Sequence, residues 1–287
     1  MILIGIIVAL IGATSFTNFG WQFFSFHWDP PQNQWGIGVF LVGSFLTAVP
    51  ALIFSMLIGI GIAVASTTYL PEYLTRWLDP FVDLLAGIPS VVYGIWAFVI
   101  VAPIFGATIE PWLVGNVYFI PGFGPPIRSD GLGILISIFI LTLMALPITT
   151  LLIRDALRSV PKDLWESGLA LGATRWEVVR RVAIPHGRRG IFSAAFLGFG
   201  RAFGETVAVA MVLGAATNLP KNVYDTGNTV AAQMFELLDS AIGGTGSPQF
   251  LAALAEMGLV LLAISLVVNI LGRRLIASLY TEQVQGL

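Results

Sequence analysis

An all-α, multi-pass membrane protein is the fold class this sequence predicts, and three observations predict it. Mean hydropathy is +0.88, 56% of the 287 residues are hydrophobic, and only 10% are charged, against about 25% in soluble domains. The apolar residues collect into runs long enough to cross a hydrocarbon layer of about 30 Å as helices. Those runs are continuous rather than alternating, and a bilayer admits only helices and closed barrels, so helices follow.

About six transmembrane helices are expected, over Met1–Phe16, Gly38–Thr67, Phe81–Pro103, Leu132–Ile153, Ile191–Leu213 and Phe250–Leu271. The first begins at Met1 with no basic segment ahead of it, unlike a cleaved signal peptide. It is short unless Thr17–Trp21 extend it, which places a first span within residues 1–24. One membrane domain fills residues 1–287, with residues 38–275 as its core.

Orientation follows from the basic residues. With the first end inside, Arg76, eight basic residues from Arg154 to Arg189, and Arg273 with Arg274 face the cytoplasm, against Arg128 and Lys221 outside. Eleven against two is the asymmetry of the positive-inside rule, so both termini and the loop 154–190 are expected to be cytoplasmic in a cell (inner or plasma) membrane. The outer loops are Gly- and Pro-rich, as in Pro121–Pro126, or carry a short amphipathic helix around Val230–Ala241. They are read as docking surface or as plain connectors.

Several chemistries are excluded early. Cysteine is absent and only His27 and His186 are present, so disulfides, thiolate nucleophiles and a histidine metal centre are not expected. There is no G-x4-G-K-[ST] phosphate loop. Gly198–Gly204 misses the dinucleotide pattern by one residue and lies in an apolar run. No G-x-S-x-G or H-E-x-x-H supports an intramembrane enzyme.

The loop 154–190 can be read through its caps. Ser159 can open a first short helix with Pro161 near its first turn, and Gly172 supplies the left-handed residue that ends it. Thr174 and Glu177 then make a Thr-x-x-Glu capping box, and the second short helix stops before Pro185. A helix–Gly–helix with basic residues also suggests DNA binding. The net +4 of Arg154–Ile191 is what membrane orientation alone produces, and 38 residues leave no room for the usual third helix. No nucleic-acid partner is expected.

Arg201 and Glu205 are the only ionisable residues of the run Ile191–Leu213. At about 1.5 Å per residue, Arg201 lies roughly 15 Å from the start of the run, near mid-membrane. A single charge there costs about 2.5–3.5 kcal/mol on the milder insertion scale, so such residues usually face protein or a watery path. Arg201 offers a planar fork suited to an oxyanion, and Glu205 could hold it between transport events. Gly200 and Gly204 give a G-x-x-x-G for close helix approach. A buried ion pair that only orients helices is the other reading. Gly87–Gly94 interrupts the third run and can expose backbone N–H groups or simply kink, with Ser90 and Tyr93 as pathway candidates. Asp79 and Asp83 read as interfacial or helix-start charges, and Glu256 stays ambiguous.

Glu166–Gly172, with Gly168 and Gly172 inside it and Val182-Ala-Ile-Pro185 nine residues on, resembles the EAA loop of ABC-importer permeases, E-A-A-x3-G-x9-I-x-L-P. Glu166, Gly172 and Pro185 match outright, while Ser167 and Gly168 replace the alanines. Leu84–Gly94, Leu197–Thr206 and Ala253–Leu259 narrow the resemblance to phosphate-specific permeases of the PstC-like kind, over nearly all the chain from about residue 38. The resemblance implies a MetI-like, type I importer permease whose loop couples it to ATPase subunits. The implied partners are a PstA-like permease, two copies of a PstB-like ATPase that uses ATP and Mg, a PstS-like phosphate-binding protein, inorganic phosphate and membrane lipid. This chain is expected to bind no cofactor and to hydrolyse no ATP. A permease for sulfate or molybdate is the alternative, and a free-standing channel would not need the loop.

Overall fold

The computed structural model describes residues 20–32, 34–242 and 248–285. The expected first span falls on residues 1–19 and so lies outside the described residues, apart from a short 3-10 turn at Gly20–Phe24. A two-stranded antiparallel ribbon, β1 (Trp28–Asp29) and β2 (Gln34–Trp35), pairs Trp28 with Trp35.

Among the described residues, every regular element after it is a helix. α1 (Gly38–Val64) is followed by α2 (Glu72–Gly87), α3 (Ser90–Trp96), α4 (Ala102–Ile104), α5 (Glu110–Val117), α6 (Ile134–Arg158), α7 (Lys162–Ala170), α8 (Arg175–Val178), α9 (Ile184–Phe203), α10 (Val207–Leu213), α11 (Val230–Ile242) and α12 (Pro248–Gln285). Among the described residues, four stretches are long and apolar enough to span a membrane: Gly38–Tyr69, Ser90–Val117, Ile134–Arg158 and Gln249–Arg274. A fifth is formed if Arg175–Phe203 and Val207–Leu213 are halves of one broken span. Large side chains such as Ile53, Phe54, Leu57 and Ile58 on α1 stay exposed, which suits a surface solvated by lipid.

Four prolines are accommodated by one device. The chain forms π-helical turns at Ala65–Tyr69, Ala97–Val101, Phe105–Ile109 and Val179–Ala183, and Pro71, Pro103, Pro111 and Pro185 each follow two residues later. In each case the residue before proline donates its N–H five residues back, from Leu70 to Ala65, Ala102 to Ala97, Glu110 to Phe105 and Ile184 to Val179. A proline ring clashes with the turn preceding it, and a widened turn relieves the clash while keeping the carbonyls occupied.

This device corrects two expectations. The helix after Thr174 does not stop before Pro185; it runs from α8 through the π turn into α9. The third span begins at Ser90 rather than Phe81 and reaches Val117, because α3, α4 and α5 are joined through two such turns. Phe81 belongs instead to α2, an amphipathic helix with Leu74, Trp77, Phe81 and Leu84 exposed on one side and Asp79 and Asp83 on another.

Two compact units emerge. The first draws on the chain up to Pro50, on Pro89–Leu141 and on Phe203–Ser265. Its core holds Phe23, Trp35, Ile37, Phe40, Val230, Leu254 and Met257, with Trp28 and Phe250 edge-on to the Trp35 ring. Ser44 Oγ accepts the N–H of Val230 at 3.1 Å, satisfying a donor at the start of α11. The second draws on Ala51–Ile88, Thr142–Ala202 and the chain from Leu266. There Ala63, Val64, Ile153, Leu157, Val160, Val179, Ala183 and Ala194 form a core against which Trp165 of α7 and Ile184 and Ile191 of α9 pack. There the buried Thr149 Oγ1 donates to the carbonyls of Ala145 and Leu146, while the buried Thr150 Oγ1 has no hydrogen-bond partner among the described residues.

Candidate coupling loop and substrate pathway

The loop after α6 is built from local hydrogen bonds. Ser159 does not open α7: its Oγ donates to the Ala156 carbonyl at 2.8 Å, closing α6, and Pro161 occupies the N-cap position of α7. At the other end, Gly172 has φ +85°. Its N–H donates to the Leu169 carbonyl at 3.0 Å and that of Ala173 to the Gly168 carbonyl at 3.2 Å, the paired bonds of a Schellman motif. The expected left-handed corner is present. So is the capping box, with Thr174 N–H donating to Glu177 Oε2 at 2.8 Å and Glu177 N–H to Thr174 Oγ1 at 3.3 Å.

Gly168 explains how close the two short helices come, since a Cβ built on it would lie 2.9 Å from Val178 Cγ2. The loop buries Val160, Val178 and Val179 inward while leaving Glu166, Leu169, Leu171 and Trp176 exposed, Leu171 by 89%. Pro185 is exposed on the first turn of α9. Four predicted loop residues, Glu166, Gly168, Gly172 and Pro185, therefore sit on one continuous helix–corner–helix element of the second unit.

The expected pathway residues are distributed differently. Arg201 is exposed on the last turn of α9, and its Nε donates to the Met144 carbonyl at 3.3 Å. α9 ends at Phe203, the stretch 204–206 is not helical, and Glu205 precedes α10. Arg201 and Glu205 thus do not share a helix, and the Gly200–Gly204 spacing crosses the break. A Cβ on Gly200 meets nothing within 4 Å among the described residues. Ser90 starts α3, half-buried, and Tyr93 is 8% exposed. Next to Tyr93, Gly94 packs on α10: a Cβ there would lie 2.7 Å from Met211 Sδ and 3.0 Å from Ala208 Cα. The structure thus packs the helix of Ser90 and Tyr93 against the helix that Glu205 leads into, within the first unit. The interruption at Ile88–Pro89 separates α2 from the span and does not break it.

Two features escaped sequence reasoning. Asp79 and Asp83 are not simple helix-start charges, because they pair with Arg154 and Arg158. The signal was the matched i,i+4 spacing of the two acids and the two bases. Glu110, and Glu256 whose role the sequence leaves ambiguous, are 1% and 3% exposed carboxyls within apolar spans, and Glu110 Oε2 and both Glu256 side-chain oxygens have no hydrogen-bond partner among the described residues.

Residues 55–279 match the family described as the binding-protein-dependent transport system inner membrane component. The chain belongs to this family. Among its relatives, a protein of Haemophilus influenzae named phosphate transport system permease protein PstC is 34% identical over 100% of this chain and 90% of its own. One of Mycobacterium tuberculosis named phosphate transport system permease protein PstC 1 is 38% identical over 86% of this chain and 74% of its own. Solved structures share the fold at lower identity. A bacterial alginate ABC transporter chain has a TM-score of 0.62 at 15% identity, over 92% of this chain and 85% of that one. An inward-facing MetNI methionine ABC transporter chain has a TM-score of 0.59 at 18% identity, over 88% of this chain and 99% of that one. The architecture is accordingly a MetI-like permease of the membrane, and the chain is a transport subunit.

Proposed function

We propose that this chain is one permease of an ATP-driven importer of inorganic phosphate. The observation that carries the reading is full-length similarity to proteins named PstC, at 34% identity over 100% of the chain in the Haemophilus influenzae relative. The loop supports it: a rigid helix–corner–helix that buries one face and leaves Glu166, Leu169, Leu171 and Trp176 outward suits insertion into a groove of another protein. That partner is a PstB-like ATPase in two copies, which binds the ATP and Mg while this chain has no ATPase site of its own. A PstA-like permease completes the pathway, and a PstS-like protein delivers phosphate from outside. Both termini and the loop face the cytoplasm.

Arg201 is the proposed oxyanion ligand of the pathway, with Glu205, Ser90 and Tyr93 along it. A guanidinium stays charged in an apolar setting and presents donors in the plane a phosphate oxygen pair requires. The test is reconstitution of the four components in proteoliposomes with labelled phosphate, sulfate or molybdate. ATP-dependent uptake of phosphate, uncompeted by the other two oxyanions, is expected. Preferential uptake of sulfate or molybdate overturns the substrate, and uptake by this chain alone without ATPase overturns the permease reading in favour of a channel.

A further inference from the structure

Two helices of the second unit are joined by a network of four charges. Asp79 and Asp83 lie one turn apart on α2, and Arg154 and Arg158 one turn apart at the end of α6. Arg154 Nη1 is 2.8 Å from Asp79 Oδ1 and its Nη2 3.3 Å from Asp83 Oδ1, while Arg158 Nη2 is 2.8 Å from Asp79 Oδ2. The Arg154 side chain is only 5% exposed and that of Asp79 18%. A buried pair of this kind holds its geometry, because separating it strands a charge away from water. α6 passes within a few residues into α7, so the cluster sits at the root of the loop.

A second tie acts at the other end of α2. Arg175, the first residue of α8, donates from Nη1 to the carbonyl of Thr68 at 3.3 Å, four residues before α2 begins. α2 is thereby held at its entry by one helix of the loop and along its polar side by the residues that lead into the other. Its far end, Gly87, runs through Ile88 and Pro89 into Ser90.

We propose that Asp79 and Asp83 are positioning residues that clamp α2 to the coupling loop, so that α2 moves with α7 and α8 as one body and carries their displacement along the chain to Ser90 and Tyr93. The proposal rests on the reading of the loop as the ATPase-coupling element, and on Asp79 and Asp83 both lying on the side of α2 that meets Arg154 and Arg158.

The experiment uses the assembled complex with spin labels on Glu72→Cys in α2 and Lys162→Cys in α7, in a chain that has no cysteine of its own. The label-to-label distance is expected to be the same in the nucleotide-free and ATP-trapped states, and to broaden in both when Asp79→Asn is added. In parallel, phosphate taken up per ATP hydrolysed is expected to fall in Asp79→Asn, with ATPase rate retained. Should Asp79→Asn fail to assemble, Asp83→Asn, which keeps the Arg154–Asp79 pair, is expected to broaden the distance to a smaller degree. A distance that changes between states in the parent chain overturns the clamp, as does an unbroadened distance in the variant that assembles. A parent complex that takes up no phosphate overturns the functional reading instead, and the label distance still decides the clamp.

Discussion

Gly168 and Val178 approach so closely that a Cβ on the glycine would sit 2.9 Å from Val178 Cγ2. The two short helices of the loop therefore touch through a missing side chain, and the angle between them depends on that gap and on the left-handed corner at Gly172.

Filling the gap should disturb coupling before it disturbs folding. Gly168→Val forces α7 away from α8, an overpacking strain of about 1–3 kcal/mol. Gly172→Val places a β-branched residue at φ +85°, where it is poorly tolerated. Both variants are expected to reach the membrane at near parental levels yet hydrolyse ATP without proportionate phosphate uptake. Gly168→Ala, the smaller insertion, should lie between. The measurement is uptake and ATPase rate on the same proteoliposomes, and parental ratios in Gly168→Val would remove the loop from the coupling path.

Arg201 allows a cleaner separation of structure from transport. Its hydrogen bond to the Met144 carbonyl is worth about 1.5–3 kcal/mol as a bond from a charged donor, and a glutamine amide can recover part of it. Arg201→Gln is expected to assemble normally and to lose phosphate uptake to background, since the fixed positive fork is gone. Exchange of charges, Arg201→Glu with Glu205→Arg, should not restore uptake, because α9 ends between the two positions and the new arginine would start from a non-helical stretch. Robust uptake by the exchanged variant would make the charge alone sufficient and its position irrelevant.

What the sequence revealed was local. Gly172, Thr174 and Glu177 were readable because their hydrogen bonds reach at most a few residues. Ser159 departs from its expected cap for a related reason: its hydroxyl has carbonyls in reach behind it as well as N–H groups ahead, and it bonds back to Ala156. Pro185 reads as a stop because proline is unfavourable in an ordinary helical turn, whereas the chain widens that turn to a π register. The span through Glu110 was misplaced because Pro103, Glu110 and Pro111 lower the local hydropathy, while Phe81, Leu84 and Leu85 of an amphipathic helix raise it next door. The Asp79–Arg154 contact joins residues far apart in sequence; the matched i,i+4 spacing marks the two acids and the two bases, but no local rule says that they meet.

Partial burial of Glu236 predicts a pH dependence on helix α11. Desolvation raises its pKa above the usual carboxylate value, and the hydrogen bond from Asn228 Nδ2 to Glu236 Oε2 at 2.9 Å opposes this. A raised folded-state pKa means the folded chain holds the proton more tightly than the unfolded one. The stabilisation is complete below the unfolded value and is lost as pH rises through the folded one. Glu236→Gln keeps an acceptor for Asn228 and removes the titration, so the thermal midpoint of the variant should change less between acid and neutral pH than that of the parent. Identical midpoint shifts in the two chains would show that Glu236 does not titrate differently on folding.

Orientation can be tested on single cysteines placed in this cysteine-free chain. Asn116 and Lys221 are exposed beyond or at the end of spans assigned to the outside, and Ser159 is exposed at the root of the loop. The loop carries eight basic residues and α2 pairs with the end of α6, so the proposed orientation, which the positive-inside rule favours, has the loop and α2 together on the cytoplasmic side. Asn116→Cys and Lys221→Cys are expected to react with an impermeant maleimide in intact cells. Ser159→Cys and Glu72→Cys should react only after the membrane is opened. Reaction of Ser159→Cys in intact cells would invert the protein, and reaction of Glu72→Cys alone would separate α2 from the loop and break the clamp together with the topology.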